Sequence, residues 1–93
     1  MEIRNIKTFI RAAETGNFTK TADELGYSQG TVTLQIKQLE DELGVPLFIR
    51  TGKRIELSEK GREFMNYAYS IVKTEAEARS AMEEKSEIKG MLT

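Results

Sequence analysis

The chain has 93 residues and contains neither cysteine nor histidine, so disulfides, thiolate chemistry, a Ser-His-Asp triad and histidine general-base catalysis are excluded. Its 14 basic and 15 acidic side chains give a net charge of −1, whereas nucleic-acid-binding domains are usually basic. This length makes one small domain, and no apolar run approaches a bilayer span. We therefore expect a cytoplasmic, non-enzymatic protein with no metal, no cofactor and no membrane partner.

Glycines divide the first half of the chain into three predicted helices. Apolar residues within 3–13 follow the i, i+3, i+4, i+7 spacing of an amphipathic helix, which Gly16 ends. A second helix is predicted over residues 18–25, between the N-cap Asn17 and Gly26.

A third helix follows at once, so residues 18–43 form a predicted helix-turn-helix. Ser28 is the predicted N-cap of this helix, and Gly44 with Pro46 ends it. Its predicted inner stripe consists of Val32, Ile36, Leu39 and Leu43. The opposite face carries small polar groups and a single lysine, which is typical of a helix that enters the major groove of DNA.

Charge is unevenly distributed around this helix-turn-helix. Residues 1–57 carry eight basic and eight acidic side chains, so the segment as a whole is neutral. Acidic residues occupy 40–42, at the end of the third helix, whereas Arg50, Lys53 and Arg54 lie close together further along the chain. Separate patches of this kind can still produce a local positive surface.

A change of sequence period from residue 47 predicts a β-hairpin. Residues 47–50 and 54–57 have the composition of short strands, and residues 51–53 form the turn between them. The three cations therefore lie near the tip of the predicted hairpin.

The last predicted element is a long helix from residue 59 to residue 89, with Ser58 as its N-cap. At 1.5 Å per residue the helix is roughly 45 Å long, which exceeds the width of a small domain. Its apolar side consists of Phe64, Ala68, Ile71, Val72, Ala78 and Met82. The first turns of the helix can pack on the three-helix core, but nothing else in this chain is left to cover its second half. We therefore expect a second copy to cover it, and these six residues are the candidate dimerisation residues.

These elements carry residues that occur together in a known family. The residues lie in segments 9–19, 22–25, 28–29, 32–33, 35–40, 42–44, 47–50 and 57–61. Over essentially its whole length, the chain resembles the N-terminal DNA-binding domain of LysR-type bacterial transcriptional regulators.

The resemblance implies a mainly α fold with a defined domain order. A winged helix-turn-helix, made of three helices and a two-stranded β wing, occupies residues 1–58, and a dimerising linker helix occupies residues 59–89. Residues 90–93 resemble the start of a hinge to an effector-binding domain. A small-molecule effector would act only through that further domain.

The resemblance also implies that the outward face of the third helix contacts DNA. The implied DNA-binding residues are Thr19, Gln29, Gly30, Thr31, Thr33, Leu34, Lys37, Arg50, Lys53 and Arg54. Gln29 can hydrogen-bond adenine, Thr33 can reach a base or a phosphate, and Lys37 can neutralise a phosphate. The alternative for Gln29 and Thr33 is an ordinary solvated helix face.

Two positions depart from the family pattern. This chain has Gly30 where members commonly have proline, and Leu34 where they commonly have arginine. Gly30 loses a pre-organised first turn but lets the helix end approach DNA closely. Leu34 either packs on a thymine methyl group, which favours A·T-rich sites, or is an exposed leucine without a role.

The hairpin cations are expected to contact phosphates or a narrow, A·T-rich minor groove, and an ordinary charged turn is the alternative. Arg50 can instead pair with a carboxylate such as Glu42 or Glu56. Thr19 and Thr21 can donate to phosphates, or they can cap the helix or simply be exposed.

We therefore expect a domain that reads an A·T-rich dyad in double-stranded DNA as a homodimer, with a tetramer open for a longer protein. Two linker helices packed antiparallel would set the separation of the two helix-turn-helix units. Because the chain is neutral overall, the alternative is a winged-helix module that binds another protein through the third helix and Leu34.

Overall fold

A computed structural model describes the backbone of residues 1–88 and the side chains of residues 1–83. Its elements in chain order are α1 Ile3–Thr15, α2 Phe18–Leu25, α3 Gln29–Leu43, β1 Phe48–Thr51, β2 Arg54–Leu57 and α4 Glu59–Ile88. The predicted order of three helices, a hairpin and a long helix is confirmed. The predicted helix end at residue 89 and the predicted hinge at 90–93 lie outside the described residues.

Local hydrogen bonds define the helix ends that the sequence predicts. Asn17 Oδ1 accepts the N–H of Lys20 at 2.9 Å at the start of α2. Ser28 Oγ accepts the N–H of Thr31 at 3.1 Å at the start of α3. Gly16 ends α1 with φ +71°, a left-handed conformation that glycine adopts without steric cost. The chain therefore turns sharply after α1 and brings α2 back against it.

Phe9 lies at the centre of the core and is completely buried. Its ring centroid is 5.4 Å from that of Phe48 on β1 and 5.3 Å from that of Phe64 on α4. Phe48 also meets Phe18 of α2 edge-on, at 5.6 Å. The other buried members of this core are Ile6, Ala22, Val32, Ile36, Leu39, Leu47 and Ala68. One aromatic cluster thus joins the hairpin and the long helix to the first three helices.

Two hydrogen bonds between side chains join α1 to α3, one of them buried and the other part-buried. Thr8 Oγ1 donates to Gln35 Oε1 at 2.6 Å, and Asn5 Nδ2 donates to Gln38 Oε1 at 3.2 Å. Among the described side chains, no buried nitrogen or oxygen lacks a partner. Since an unpaired buried polar group costs about 1–3 kcal/mol, these two bonds restrict how α3 can be rotated against α1.

The hairpin has a two-residue turn. β1 and β2 pair antiparallel with Thr51 opposite Arg54, which leaves only Gly52 and Lys53 between the strands. Gly52 has φ +66° and occupies the first central position of the turn, where type II′ hairpins carry glycine. The predicted turn at 51–53 is therefore one residue too long.

The predicted first strand at 47–50 also begins one residue too early. Leu47 is completely buried, and its N–H donates to Glu40 Oε2 at 2.7 Å. Its carbonyl accepts the N–H of Ser58 at 2.9 Å. Because the Leu47 N–H bonds to Glu40 and not to Ser58, the residue that faces it, the regular strand starts at the next residue.

α4 begins at the predicted N-cap. Its first turn lies very close to the chain segment that precedes β1. Ser58 Oγ accepts the N–H of Gly61 at 2.9 Å and donates to the carbonyl of Pro46 at 2.7 Å. A Cβ atom added to Gly61 would overlap the carbonyl of Leu47. Glycine is thus required where α4 passes this segment. Within residues 1–88, no helix has both the length and the apolar content needed to cross a membrane.

The apolar side of α4 divides into two faces, not the single dimer face predicted from the sequence. Ala68 is completely buried in the core, and Phe64 is half-buried against Phe9. The assignment of Ala68 to a dimer surface is corrected, because packing against the core leaves it no surface for a second chain. The other predicted dimer residues keep accessible surface: Ile71 and Val72 are half-buried, and Ala78 and Met82 are exposed.

Gly61→Ala is expected to destabilise the domain by about 1–3 kcal/mol, because the added methyl group forces the backbone of α4 away from Leu47. Urea unfolding followed by circular dichroism measures this loss. Gly30→Ala is the matched control, since the nearest atom to its added Cβ is Ser28 Oγ at 3.9 Å. That exchange should stabilise the domain by about 0.4–1 kcal/mol. Equal stabilities of the two variants would contradict the close approach at Gly61.

Candidate nucleic-acid interface

The face of α3 that points away from the core is open. Its exposed residues are Gln29, Gly30, Thr33, Leu34 and Lys37. Leu34 lies in the middle of this face and is 55% exposed. On the other side of the helix, the predicted inner stripe is buried at Val32, Ile36 and Leu39 and half-buried at Leu43. The predicted division of α3 into an inner and an outer face is confirmed.

Thr31 belongs to the cap of α3 and not to its open face. It is half-buried, its N–H donates to Ser28 Oγ at 3.1 Å, and its hydroxyl lies 3.0 Å from the same atom. The hydroxyl is thus already engaged within the chain. Its contribution to the site is to hold the first turn of α3, where the free N–H groups and the positive end of the helix dipole lie.

The acidic cluster at 40–42 is divided among separate partners. Glu40 Oε2 accepts the N–H of Leu47 at 2.7 Å, and Glu42 Oε2 lies 3.5 Å from the nitrogen of the N-terminal ammonium group. Asp41 lies 3.6 Å from Lys37 Nζ, and both side chains are 68% exposed. An exposed pair of this kind contributes about 0–1 kcal/mol, so Lys37 can exchange Asp41 for a phosphate at little cost.

The two threonines at the start of α2 have different surroundings. Thr21 is completely buried; its hydroxyl lies 2.7 Å from Thr15 Oγ1 and donates to the carbonyl of Asn17 at 2.9 Å. A phosphate contact by Thr21 is therefore wrong. Thr19 is exposed, and its hydroxyl donates to Gln29 Oε1 at 3.1 Å. It joins the start of α2 to the first residue of α3.

Arg50 lies on the hairpin face that is turned toward the helices. Its guanidinium carbon is 5.8 Å from the ring centroid of Phe18, which is within the range of a cation–π contact. No carboxylate in the described part of the chain forms an ion pair with Arg50. The alternative pairing with Glu42 or Glu56 is therefore not found.

A groove separates α3 from the inner face of the hairpin. Its lining residues are Phe18, Thr33, Ile36, Lys37, Glu40, Phe48, Arg50 and Ile55. Two cations and a hydroxyl thus face one concave surface, and the carboxylate in it, Glu40, is engaged with the Leu47 N–H. An anionic backbone in this groove would meet charge-assisted hydrogen-bond donors from both elements.

The hairpin tip carries two further cations, Lys53 and Arg54, and both are exposed. Neither forms an ion pair with any side chain that the structure describes. Arg54 lies against the end of α1, since a Cβ added to Gly16 would be 2.8 Å from Arg54 Nη2. The N–H of Ile55 donates to the carbonyl of Gly16 at 3.1 Å. The wing is thereby attached to the turn between α1 and α2.

Sequence reasoning missed a surface network that connects three helices. Arg11 Nε donates to Glu24 at 2.6 Å, and Arg11 Nη1 donates to Glu14 at 2.7 Å. The hydroxyl of Tyr69 on α4 donates to Glu14 at 3.1 Å. These hydrogen bonds raise the pKa of Arg11, mainly through Glu24, and raise the pKa of the Tyr69 hydroxyl through Glu14. Tyr69 and Glu14 are 55 positions apart, so no local spacing indicates their contact.

Residues 3–62, which hold the helix-turn-helix, the wing and the start of α4, match the bacterial regulatory helix-turn-helix proteins of the lysR family. The chain belongs to this family. It is 49% identical over 92 residues to YwqM, an uncharacterized HTH-type transcriptional regulator of Bacillus subtilis, and covers 31% of that protein. That alignment includes 99% of this chain. The chain spans between 23% and 31% of the length of the first curated relatives it matches.

Solved structures of the LysR family have the same architecture. The chain in the CbnR_DBD-DNA complex is similar with a TM-score of 0.87 and 35% identity, over 92% of this chain and 99% of that chain. The chain in the BenM_DBD/benA site 1 DNA complex is similar with a TM-score of 0.85 and 30% identity, over 92% of this chain and 97% of that chain. The predicted winged helix-turn-helix fold with a long following helix is confirmed.

Proposed function

We propose that this LysR-family domain regulates transcription by binding double-stranded DNA. The open face of α3 enters the major groove, and the wing lies on the backbone or in the minor groove. The observation that carries the proposal is the groove in which Thr33, Lys37 and Arg50 face one concave surface. The likeness to the CbnR and BenM domains, which were solved with DNA, supports this partner. Because the relatives are bacterial transcriptional regulators, we infer that the domain acts in the cytoplasm as a DNA-binding module and not as an enzyme.

The exposed side chains divide into those that read bases and those that hold phosphates. Gln29 offers its amide to an adenine edge, and Thr33 reaches a base or a phosphate. Lys37 neutralises a phosphate, which sets the register of the protein without reading sequence. Lys53 and Arg54 hold the backbone or enter a narrow A·T-rich minor groove. The neutral net charge does not oppose this role, because the local charge facing the DNA matters more than the sum.

Leu34 supplies an apolar contact in the major groove. It is 55% exposed on the open face of α3, and its side chain cannot donate a hydrogen bond to guanine or to phosphate. The apolar group that the major groove offers is the 5-methyl group of thymine. A half-site rich in A·T pairs is therefore the favoured ligand.

We infer that an exposed stripe on α4 pairs two copies of the chain. The stripe consists of the exposed Tyr67, Thr74, Ala78 and Met82 and the half-buried Ile71, which share one side of the helix at 100° per residue. Tyr67 and Met82 are 64% and 62% exposed. Antiparallel packing of two stripes would bury these side chains and present two α3 helices to a dyad-symmetric operator. Tyr67 and Thr74 are added to the dimer surface predicted from the sequence, whereas the half-buried Phe64 and Val72 pack against the core and are not part of the stripe.

Lys53→Glu together with Arg54→Glu should reduce DNA affinity by at least about a hundredfold. The slope of log K against log salt concentration, which is negative, should become less negative by about 2. The reason is that two phosphate contacts are lost and two negative charges face the backbone. Fluorescence anisotropy with a labelled duplex carrying an interrupted A·T-rich palindrome, at several salt concentrations, measures both quantities. Specific affinity of the unmutated domain that does not fall with rising salt would rule out phosphate-anchored binding.

The single exchange Lys53→Glu has a matched control in Lys73→Glu, which changes the charge equally at an exposed position of α4. The control should alter DNA affinity by less than about threefold, because solution ions screen a charge this remote from the interface. Equal losses in both variants would mean that net charge, and not the wing, governs affinity. An unchanged affinity in Lys53→Glu with Arg54→Glu would instead favour a module that binds protein.

Uracil in place of the thymine that Leu34 contacts should weaken binding of the unmutated domain by about fourfold, since this exchange removes one buried methyl group. Leu34→Ala should bind the thymine and uracil operators equally. The measurement is an anisotropy titration of operators in which one thymine at a time is replaced. Equal sensitivity to uracil in both proteins would contradict the contact by Leu34.

Ala78→Glu should weaken dimerisation by at least about tenfold, because it places an unpaired charge in an apolar interface. Ala76→Glu is the matched control: it introduces the same side chain at an exposed position on the opposite side of α4. Sedimentation equilibrium gives the dimer dissociation constant of each. Similar dissociation constants for the two variants would exclude the stripe as the dimer surface.

A further inference from the structure

One side chain of α2 is hydrogen-bonded to a candidate base-reading side chain of α3. Thr19 Oγ1 donates to Gln29 Oε1 at 3.1 Å, across the turn of the helix-turn-helix. Both residues are exposed, so burial of the two groups does not account for the contact.

The backbones on both sides of this contact are fixed by short-range bonds. Thr19 lies in the first turn of α2, whose cap Asn17 accepts the Lys20 N–H at 2.9 Å. Gln29 is the first residue of α3, directly after the cap Ser28. Threonine is also stiff about its single side-chain torsion. The Thr19 hydroxyl is therefore a donor at a fixed place, and the flexible partner that it restrains is the long side chain of Gln29.

The contact leaves Gln29 with the hydrogen-bonding groups that adenine requires. A carboxamide oxygen has two lone pairs, of which Thr19 occupies one, and both N–H groups of Nε2 stay free. The free lone pair and Nε2 form an acceptor–donor pair, which complements N6 and N7 of adenine in the major groove. Guanine presents two acceptors at the same edge, so its O6 would face the amide oxygen and be repelled.

We propose that Thr19 is a positioning residue that orients the Gln29 amide for adenine and against guanine. This inference rests on the proposed DNA-binding function and deepens it. A threonine hydroxyl carries one hydrogen, and here that hydrogen is used by Gln29. Thr19 therefore acts through Gln29 and not as the phosphate donor expected from the sequence.

The test compares Thr19→Val, which loses the hydroxyl and keeps the branched shape, with Thr19→Ser, which keeps the hydroxyl. Anisotropy titrations use the palindromic operator and a set in which each A·T pair of the half-site is replaced by G·C. The pair read by Gln29 is the one at which Gln29→Ala loses discrimination. At this pair Thr19→Val should lose about five- to tenfold of its preference for A·T, within the range of one base contact. Thr19→Ser should keep that preference.

Two further results are expected. The salt slope of Thr19→Val should equal that of the unmutated domain, because the exchange changes no charge. Adding Thr19→Val to Gln29→Ala should cause no further loss of discrimination, because the two residues act as one unit.

The opposite results would overturn the inference. An equal loss of affinity for all operators would make Thr19 a phosphate contact, because phosphates are the same at every base pair. Discrimination unchanged in Thr19→Val would show that Gln29 does not need the hydroxyl. In both cases the unmutated domain still binds DNA, so the proposed function stands. Absence of salt-dependent duplex binding by the unmutated domain would instead overturn the proposed function, and this inference with it.

Discussion

The aromatic contacts of Phe9 hold the wing and the long helix against the helix-turn-helix. This one buried ring on α1 meets Phe48 of the hairpin at 5.4 Å and Phe64 of α4 at 5.3 Å. Phe48 in turn packs edge-on against Phe18, the ring over which the Arg50 guanidinium lies. The position of a cation on the candidate DNA-binding surface thus depends, through two rings, on a residue in the interior. The hairpin has only two strands and could not keep this position alone.

The orientation of α3 depends on a polar contact as well as on its apolar stripe. Burial of Val32, Ile36 and Leu39 already favours the observed rotation of the helix over one that would bury Leu34. The hydrogen bond from Thr8 to Gln35 restricts the rotation further. Any large rotation of α3 would leave one of these buried polar groups without a partner. The core therefore determines which side chains α3 offers to DNA.

Features decided within a few residues were predictable from the sequence, and those decided by packing between distant segments were not. The three first helices and their caps follow from Asn17, Ser28 and the glycines, because each cap bonds to the adjacent turn. The start of β1 was missed because the Leu47 N–H bonds to the side chain of Glu40 instead of to the facing residue.

The candidate site shows the same division. The open face of α3 follows from helical geometry, and the exposed hairpin cations follow from their place in the sequence. The burial of Thr21 does not, because it results from docking of α2 against the end of α1. On α4, the apolar side was predicted as one surface, whereas contact with α1 takes Ala68 into the core and leaves a neighbouring stripe open. Periodicity identifies the apolar residues of a helix but not which of them its own chain will cover.

Because α4 extends well beyond the core, a small tilt at its packed end moves its far end by a larger distance. From Val72 to Ile88 the helix projects by roughly 24 Å at 1.5 Å per residue. A tilt of about 10° at the packed end would move its far end by roughly 4 Å, more than the spacing of about 3.4 Å between successive base pairs. In the proposed dimer, a small difference in how Phe64 and Tyr69 pack α4 against α1 would therefore produce a larger change in the distance between the two copies. The spacing of the half-sites that the dimer fits would change with it. The hydrogen bond between Tyr69 and Glu14 lies near the packed end of α4. An exposed surface contact therefore influences which distance between half-sites the two copies can span.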